Sequence, residues 1–128
     1  MRSRMRPVVD DRISEGFWEG ARHGVLMVQV CAPEGHVLHL PKGYCCRCDT
    51  TDVEWRPVEG AASVHTWTIV EHSVDPAYTI ALVELEHERG VRFVTDLPGR
   101  QELHVGQRME LRFEDLGDDV VIPRWIPA

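Results

Sequence analysis

Three cysteines fall within four positions, in Tyr44-Cys45-Cys46-Arg47-Cys48, and Cys31 stands fourteen residues before Cys45. Two thiolates at Cys-x-x-Cys spacing reach one ion from a tight turn, so Cys45 and Cys48 form one knuckle of a zinc ribbon. Cys31 supplies a third ligand. A second knuckle needs a cysteine three residues further on, and Glu34 occupies that place. Four residues compete for the last position. Glu34 offers a carboxylate oxygen, His36 can swing in after Gly35, His39 lies further along, and Cys46 adjoins Cys45 but should point elsewhere. Cys and His are the usual ligands of structural zinc. Three protein ligands plus a water would make a catalytic site, but no general base is apparent near this cluster.

Other chemistry is sparse. Ser63 and His65 are two apart, which on a strand places them on one face, with Asp75 or Asp96 downstream. No nucleophile elbow accompanies them, so coincidence is the better reading. His72 and Asp75 form a conceivable acid–base pair in the loop before Tyr78, where a solvated loop is the simpler account. Gly20 and Gly24 flank a helix end, not a strand-to-helix turn, so there is no phosphate loop. No catalytic residue is assigned, and the chain is expected not to be catalytic alone.

The elements that position the cysteines follow from pattern. Asp10 and Asp11 open a helix expected to run to about Gly24, either aspartate accepting bonds from the first turn. Ile13, Phe17 and Ala21 form its apolar stripe, with Trp18 at the edge. Val25–Val30 is a short strand leading into Cys31. The stretch from Cys31 to about Asp52 has little periodicity and reads as a small metal-stapled appendage. Strands then follow. Ser63–His72 alternates, with Val64, Thr66, Thr68 and Val70 on one face and His65, Trp67 and Ile69 on the other. Tyr78–Glu86 and Val91–Thr95 flank the turn His87-Glu88-Arg89-Gly90. Arg108–Glu114 and Val120–Trp125 complete five strands, and Pro123 suits an edge. The fold class is therefore mostly β: a five-stranded OB-fold barrel preceded by an N-terminal helix and a zinc-ribbon-like segment. The expected division is 1–24 helix, 25–54 ribbon and 55–128 barrel.

Composition narrows the partners. The 128 residues carry a net charge of −7, which repels phosphate backbones and disfavours nucleic-acid binding. Lys42 is the only lysine, so no lysine-rich groove can form. Apolar runs are too short to span a bilayer, and the basic N-terminus is followed by no apolar signal region. A cytoplasmic protein without a membrane association is expected, in which four cysteines serve as ligands or free thiols and not as disulfides.

An ordered set of short motifs runs along most of the chain. It comprises Phe17-Trp18-Glu19-Gly20, Val28-Gln29-Val30-Cys31, Pro41 with Cys45 and Cys48, Trp55-x-Pro57-x-x-Gly60, and Val64-x-Thr66-Trp67-Thr68. Ala81–Leu85, Val105-Gly106, Phe113-Glu114 and the ending Ile122-Pro123-Arg124-Trp125 follow in order. This set resembles the acyl-CoA-associated OB-fold proteins that carry an N-terminal rubredoxin-like zinc ribbon, long catalogued as a domain of unknown function. Two positions depart from the family pattern: Glu34, where it usually has cysteine, and Cys46, where it often has proline. The resemblance implies a non-catalytic accessory subunit or domain with structural zinc and acyl-CoA as ligand. It implies a hetero-oligomer with a thiolase-like or lipid-transfer-protein-like aldolase of steroid side-chain or other lipid degradation, or with an acyl-CoA hydratase. Acyltransferase and hydroxymethylglutaryl-CoA synthase systems are further settings. Within that reading, Arg89, Arg92 and Arg108 are candidates for the CoA phosphates, and Phe17, Trp18 and Trp125 for the partner surface. A nucleic-acid-binding OB and zinc-ribbon module is the alternative from another class, and a stand-alone acyl-CoA hydrolase or lyase is the third.

Overall fold

The computed structural model describes residues 6–71 and 76–128. The pair His72 and Asp75 and the basic start of the chain lie outside the described residues. Two compact units are formed, one from Pro7–Val58 with Phe113–Ile122, the other from Glu59–Arg112 with Pro123–Ala128.

The first unit begins with a single helix, α1, Glu15–Arg22. It is shorter than its sequence suggests. Asp11 does not cap α1 but the turn before it, where its carboxylate accepts from the Ile13 N–H (3.3 Å) and the Ser14 hydroxyl (3.0 Å). Ser14 is the N-cap and makes no side-chain capping bond. The expected stripe of Ile13, Phe17 and Ala21 is only partly the packed face. Ala21 is buried, whereas Ile13 precedes the helix and is exposed. Close packing comes instead from two glycines. A Cβ on Gly16 would sit 2.3 Å from the Trp55 ring, and one on Gly20 would sit 2.3 Å from Met27 Cγ. Both neighbours belong to an antiparallel ribbon of β1 (Met27–Cys31) and β2 (Val53–Pro57), in which Gln29 faces Trp55 and Cys31 faces Val53. Side chains alternate along a strand, so Met27, Gln29 and Cys31 share one side with Trp55 and Val53. The loops that carry the cysteines hang between the two strands.

The second unit is built on a five-stranded antiparallel sheet in the order β5-β4-β3-β6-β7, namely β3 (Ala62–Val70), β4 (Tyr78–Leu85), β5 (Arg92–Pro98), β6 (Arg108–Asp115) and β7 (Val121–Pro127). This is the expected five-stranded OB-fold, and Gly90, at φ 89°, takes the left-handed position of the β4–β5 turn. The strict alternation expected of β3 fails at one residue. Val64 pairs with Val83 and Thr66 with Leu82, so His65 is an extra, bulged residue. Beyond the bulge the faces exchange: Ala62 and Val64 are buried, then Trp67 and Ile69 are half-buried while Thr66 and Thr68 are exposed.

Trp125 ties the sheet's edges together. Its backbone N–H donates to Thr95 Oγ1 of β5 (3.1 Å), and its indole N–H donates to the Gly60 carbonyl (2.7 Å). Its ring stacks on Phe93 with centroids 5.1 Å apart. Next to it, Arg124 pairs with Asp96 at 2.6 Å. Edge strand β7 thus meets edge strand β5 through side chains, closing the barrel around Leu85, Val64, Val83 and Met109, all buried. Trp125 is 0% exposed, which corrects its placement on a partner surface: barrel closure draws the indole inside. Among the described residues, no helix is long and apolar enough to cross a membrane.

Candidate metal centre

The residues around Cys31 fold into a loop that delivers a histidine where a second cysteine was expected. Gly35 N–H donates to the Cys31 carbonyl (2.8 Å), and Cys31 N–H donates to the His36 carbonyl (2.9 Å). The His36 N–H in turn reaches Cys31 Sγ at 3.2 Å. Gly35 adopts φ 72°, which lets the chain double back at this point. Glu34 is carried outward and exposed on the turn. The second knuckle is closed by a reciprocal pair of backbone bonds between Cys45 and Thr50 (2.8 and 3.2 Å). Asp49 takes the left-handed position in that turn, at φ 51°.

Together the two loops bring Cys31, His36, Cys45 and Cys48 into one cluster whose ligand atoms all lie within 4.8 Å of one another. His36 Nδ1 is 3.5 Å from Cys31 Sγ, 3.6 Å from Cys45 Sγ and 3.3 Å from Cys48 Sγ. Cys31 Sγ and Cys48 Sγ are 3.7 Å apart. With zinc–sulfur bonds of about 2.3 Å and zinc–nitrogen bonds of about 2.05 Å, tetrahedral ligands stand about 3.8 Å (S···S) and about 3.6 Å (S···N) apart. These four separations match that spacing and no pair in the cluster exceeds 4.8 Å, so the residues fit a four-coordinate ion. Its donor set of three sulfurs and one imidazole belongs to closed, structural sites and leaves no protein-free position for a catalytic water. Glu34 and Cys46 are outside the cluster and exposed, and His39 is outside it too. Cys31, Cys45 and Leu38 form a small buried core against which Cys48 and Val53 pack, so two of the ligands are buried and the other two, His36 and Cys48, are half-buried.

Crowding of the three sulfurs shows in their acidity. Burial and the neighbouring Cys31 and Cys45 thiols push the Cys48 thiol up to about 12. Cys31 goes the other way. Burial opposes its ionisation, but backbone N–H groups of His36 and Glu34, with the Cys48 and Cys45 thiols, outweigh burial and hold it below the ordinary thiol range. A cation at the centre removes the repulsion that keeps three thiolates from coexisting.

The remaining predicted residues are scattered. Register places Arg92, Glu84, Ser63 and Arg108 in one row across β5, β4, β3 and β6. Arg92 pairs with Glu84 at 2.8 Å, and Arg108 lies 3.5 Å from Glu86. Glu84 is held below the usual carboxylate range, first by its hydrogen bond to Arg92. Arg89 is exposed in the β4–β5 turn. Phe17 and Trp18 are half-buried and meet edge to face at 4.9 Å, and the Trp18 indole N–H donates to Ser14 Oγ (3.2 Å). Ser63 and His65 do not form a catalytic pair. The bulge takes His65 out of step with Ser63, and Asp96 is engaged by Arg124.

Comparison with known proteins agrees with this architecture. Residues 55–114 match the family described as ChsH2, C-terminal OB-fold domain. A solved structure titled "Ltp2-ChsH2(DUF35) aldolase" superposes with a TM-score of 0.80 and 25% identity, covering 95% of this chain and 98% of that one. A second, a protein of unknown function from the DUF35 family of Sulfolobus solfataricus, shares the fold at 17% identity and a TM-score of 0.60, over 78% of this chain and 77% of that one. Among curated proteins, a probable enoyl-CoA hydratase alpha subunit of Thermomonospora curvata is 29% identical across 98% of this chain. The chain spans only 40% of that relative's length.

Proposed function

We propose, from a barrel whose residues 55–114 match the ChsH2 C-terminal OB-fold domain, that the chain is a non-catalytic accessory subunit or domain. It binds a thiolase-like aldolase or a related acyl-CoA-processing enzyme, such as a hydratase, and helps form or shield the acyl-CoA site. The observation that carries this reading is the near end-to-end likeness, ribbon included, to the chain titled as part of an Ltp2-ChsH2 aldolase. The hydratase subunit matched over almost the whole of this chain supports the wider acyl-CoA setting.

In this reading the Cys31, His36, Cys45 and Cys48 cluster holds zinc, which fixes the two loops and takes no part in the reaction. Arg92 and Arg108, on one row of the sheet with Arg89 in the adjoining turn, supply positive charge for the CoA phosphates. Each has a carboxylate close by, so phosphate binding must displace Glu84 or Glu86 or be shared with them. The test is co-expression with thiolase-like and hydratase proteins of the same organism. A stable complex with acyl-CoA turnover is expected, with no turnover by the purified chain alone. Turnover by the isolated chain, or failure of any such enzyme to co-purify, overturns the proposal.

A further inference from the structure

Between β1 and β2 the chain from Leu40 to Cys46 turns alternate side chains outward. Leu40, Lys42, Tyr44 and Cys46 are exposed, Pro41 and Gly43 are half-buried, and Cys45 is buried. Leu40 is 72% exposed and Tyr44 50%. Single apolar side chains on a surface need no explanation. These two differ because the backbone beneath them is tied down. Gln29 of β1, only 3% exposed, accepts the Lys42 and Gly43 backbone N–H groups on its Oε1, each at 3.0 Å. Its own carbonyl accepts the Leu38 N–H (2.8 Å), and Cys45 exchanges backbone bonds with Thr50 (2.8 and 3.2 Å). Two large side chains are thus held in water on a backbone fixed by hydrogen bonds. Little backbone freedom is left to lose when a partner covers them.

Charge says what kind of partner fits. The chain carries −7, yet the stretch 35–48 holds Lys42 and Arg47 and no acidic residue, with Glu34 and Asp49 bounding it. Elsewhere Arg22, Arg92, Arg100, Arg108, Arg112 and Arg124 each have a carboxylate of this chain close by. Lys42 and Arg47, both exposed, make no ion pair among the described residues. Two cations interleaved with two apolar side chains are complemented by carboxylates set beside apolar side chains, which one polypeptide segment supplies together. A nucleic acid or a phospholipid surface also offers anions, but the −7 charge of the chain repels so extended an array of them.

We propose that the strip Leu40–Cys46, with Arg47 beside it, docks an acidic segment of the partner enzyme that also carries apolar side chains. The inference rests on the accessory-subunit reading and gives one of its contacts a chemistry. The test measures the affinity of the full metal-loaded chain for the thiolase-like or hydratase protein that co-purifies with it. Charge reversal in Lys42→Glu with Arg47→Glu should weaken the complex roughly tenfold, the size expected of two exposed ion pairs lost. Leu40→Ser with Tyr44→Ser should weaken it about tenfold to a hundredfold, through apolar area left uncovered. All four positions are exposed, so bound metal and the urea unfolding midpoint should stay as in the unaltered chain. A second measurement needs no variant. Cys46 should react with N-ethylmaleimide in the free chain, as mapped by mass spectrometry, and be protected in the complex. Unchanged affinity in both double variants, or equal alkylation of Cys46 free and bound, overturns the docking strip while the complex itself stands. Dimerisation of the isolated chain that either double variant abolishes would assign the strip to a second copy and overturn the proposal too. Absence of any complex with the unaltered chain overturns the accessory role, and this inference with it.

Discussion

At the scale of single residues the fourth metal ligand decides the most. Cys-x-x-Cys spacing pointed at Glu34, because it stands where a ribbon cysteine would. His36 wins because Gly35 turns the backbone at φ 72° and brings Nδ1 within 3.6 Å of all three sulfurs. His36 was legible as one of four alternatives, and Gly35 was the signal in its favour. What spacing could not supply was the extra turn that makes Cys-x₄-His equivalent to a knuckle. Metal analysis of purified variants checks this directly. Cys48→Ser and His36→Ala should each lower bound zinc well below one per chain, His36→Cys should retain it, and Glu34→Ala and Cys46→Ser should leave it unchanged. Cobalt substitution should give the visible absorption of a tetrahedral thiolate site in the unaltered chain and lose it in Cys48→Ser.

Elements were read with uneven success, for physical reasons. The five barrel strands came through because β propensity and turn residues are local signals, whereas β2, Val53–Pro57, was not expected as a partner of β1. Facing was harder. The bulge at His65 reverses the sides of β3, and one inserted residue leaves no mark on the alternation until its partner strand is known. Trp125 looked like a surface anchor because a C-terminal aromatic beside two prolines gives no hint that β7 closes on β5. Helix packing was hidden as well, since Gly16 and Gly20 contribute by lacking a side chain. Two outcomes test these contacts. Trp125→Ala should destabilise the barrel by about 3–5 kcal/mol in urea unfolding, as expected for a large buried aromatic. In Gly60→Ala the new Cβ would sit 2.6 Å from Leu111 Cβ, an atom fixed to its backbone. A loss of about 1–3 kcal/mol is expected there from overpacking, and a neutral result would mean that β6 yields more easily than its contacts imply. On α1, Trp18 lies about 200° around the helix from Gly16, on the far side from the ribbon. Trp18→Ala should therefore weaken enzyme co-purification with little change in the unfolding midpoint. A large drop in that midpoint would instead assign the indole to packing.

For the molecule as a whole, the two units differ in what holds them. The barrel buries Trp125, Leu85, Met109 and the Val64–Val83 pair, whereas the metal loops have only the small Cys31, Leu38 and Cys45 core. Stripping the metal with a chelator should remove amide-exchange protection from residues 27–57 while the central strands β3 and β4 stay protected. Uniform loss across both would show that the chain unfolds as one block. The way the chain is shared between the units carries one more consequence. Phe113–Ile122, late in the sequence, completes the unit begun by Pro7–Val58. During translation at about 5–20 residues per second, helix, metal loops and ribbon emerge first and must wait, unfinished, until more than fifty intervening residues and then that hairpin tip have left the ribosome. If the cluster takes zinc as proposed, its capture is available during that interval and final packing is not, so a nascent chain arrested at Arg112 should bind metal yet remain open to protease in its N-terminal part.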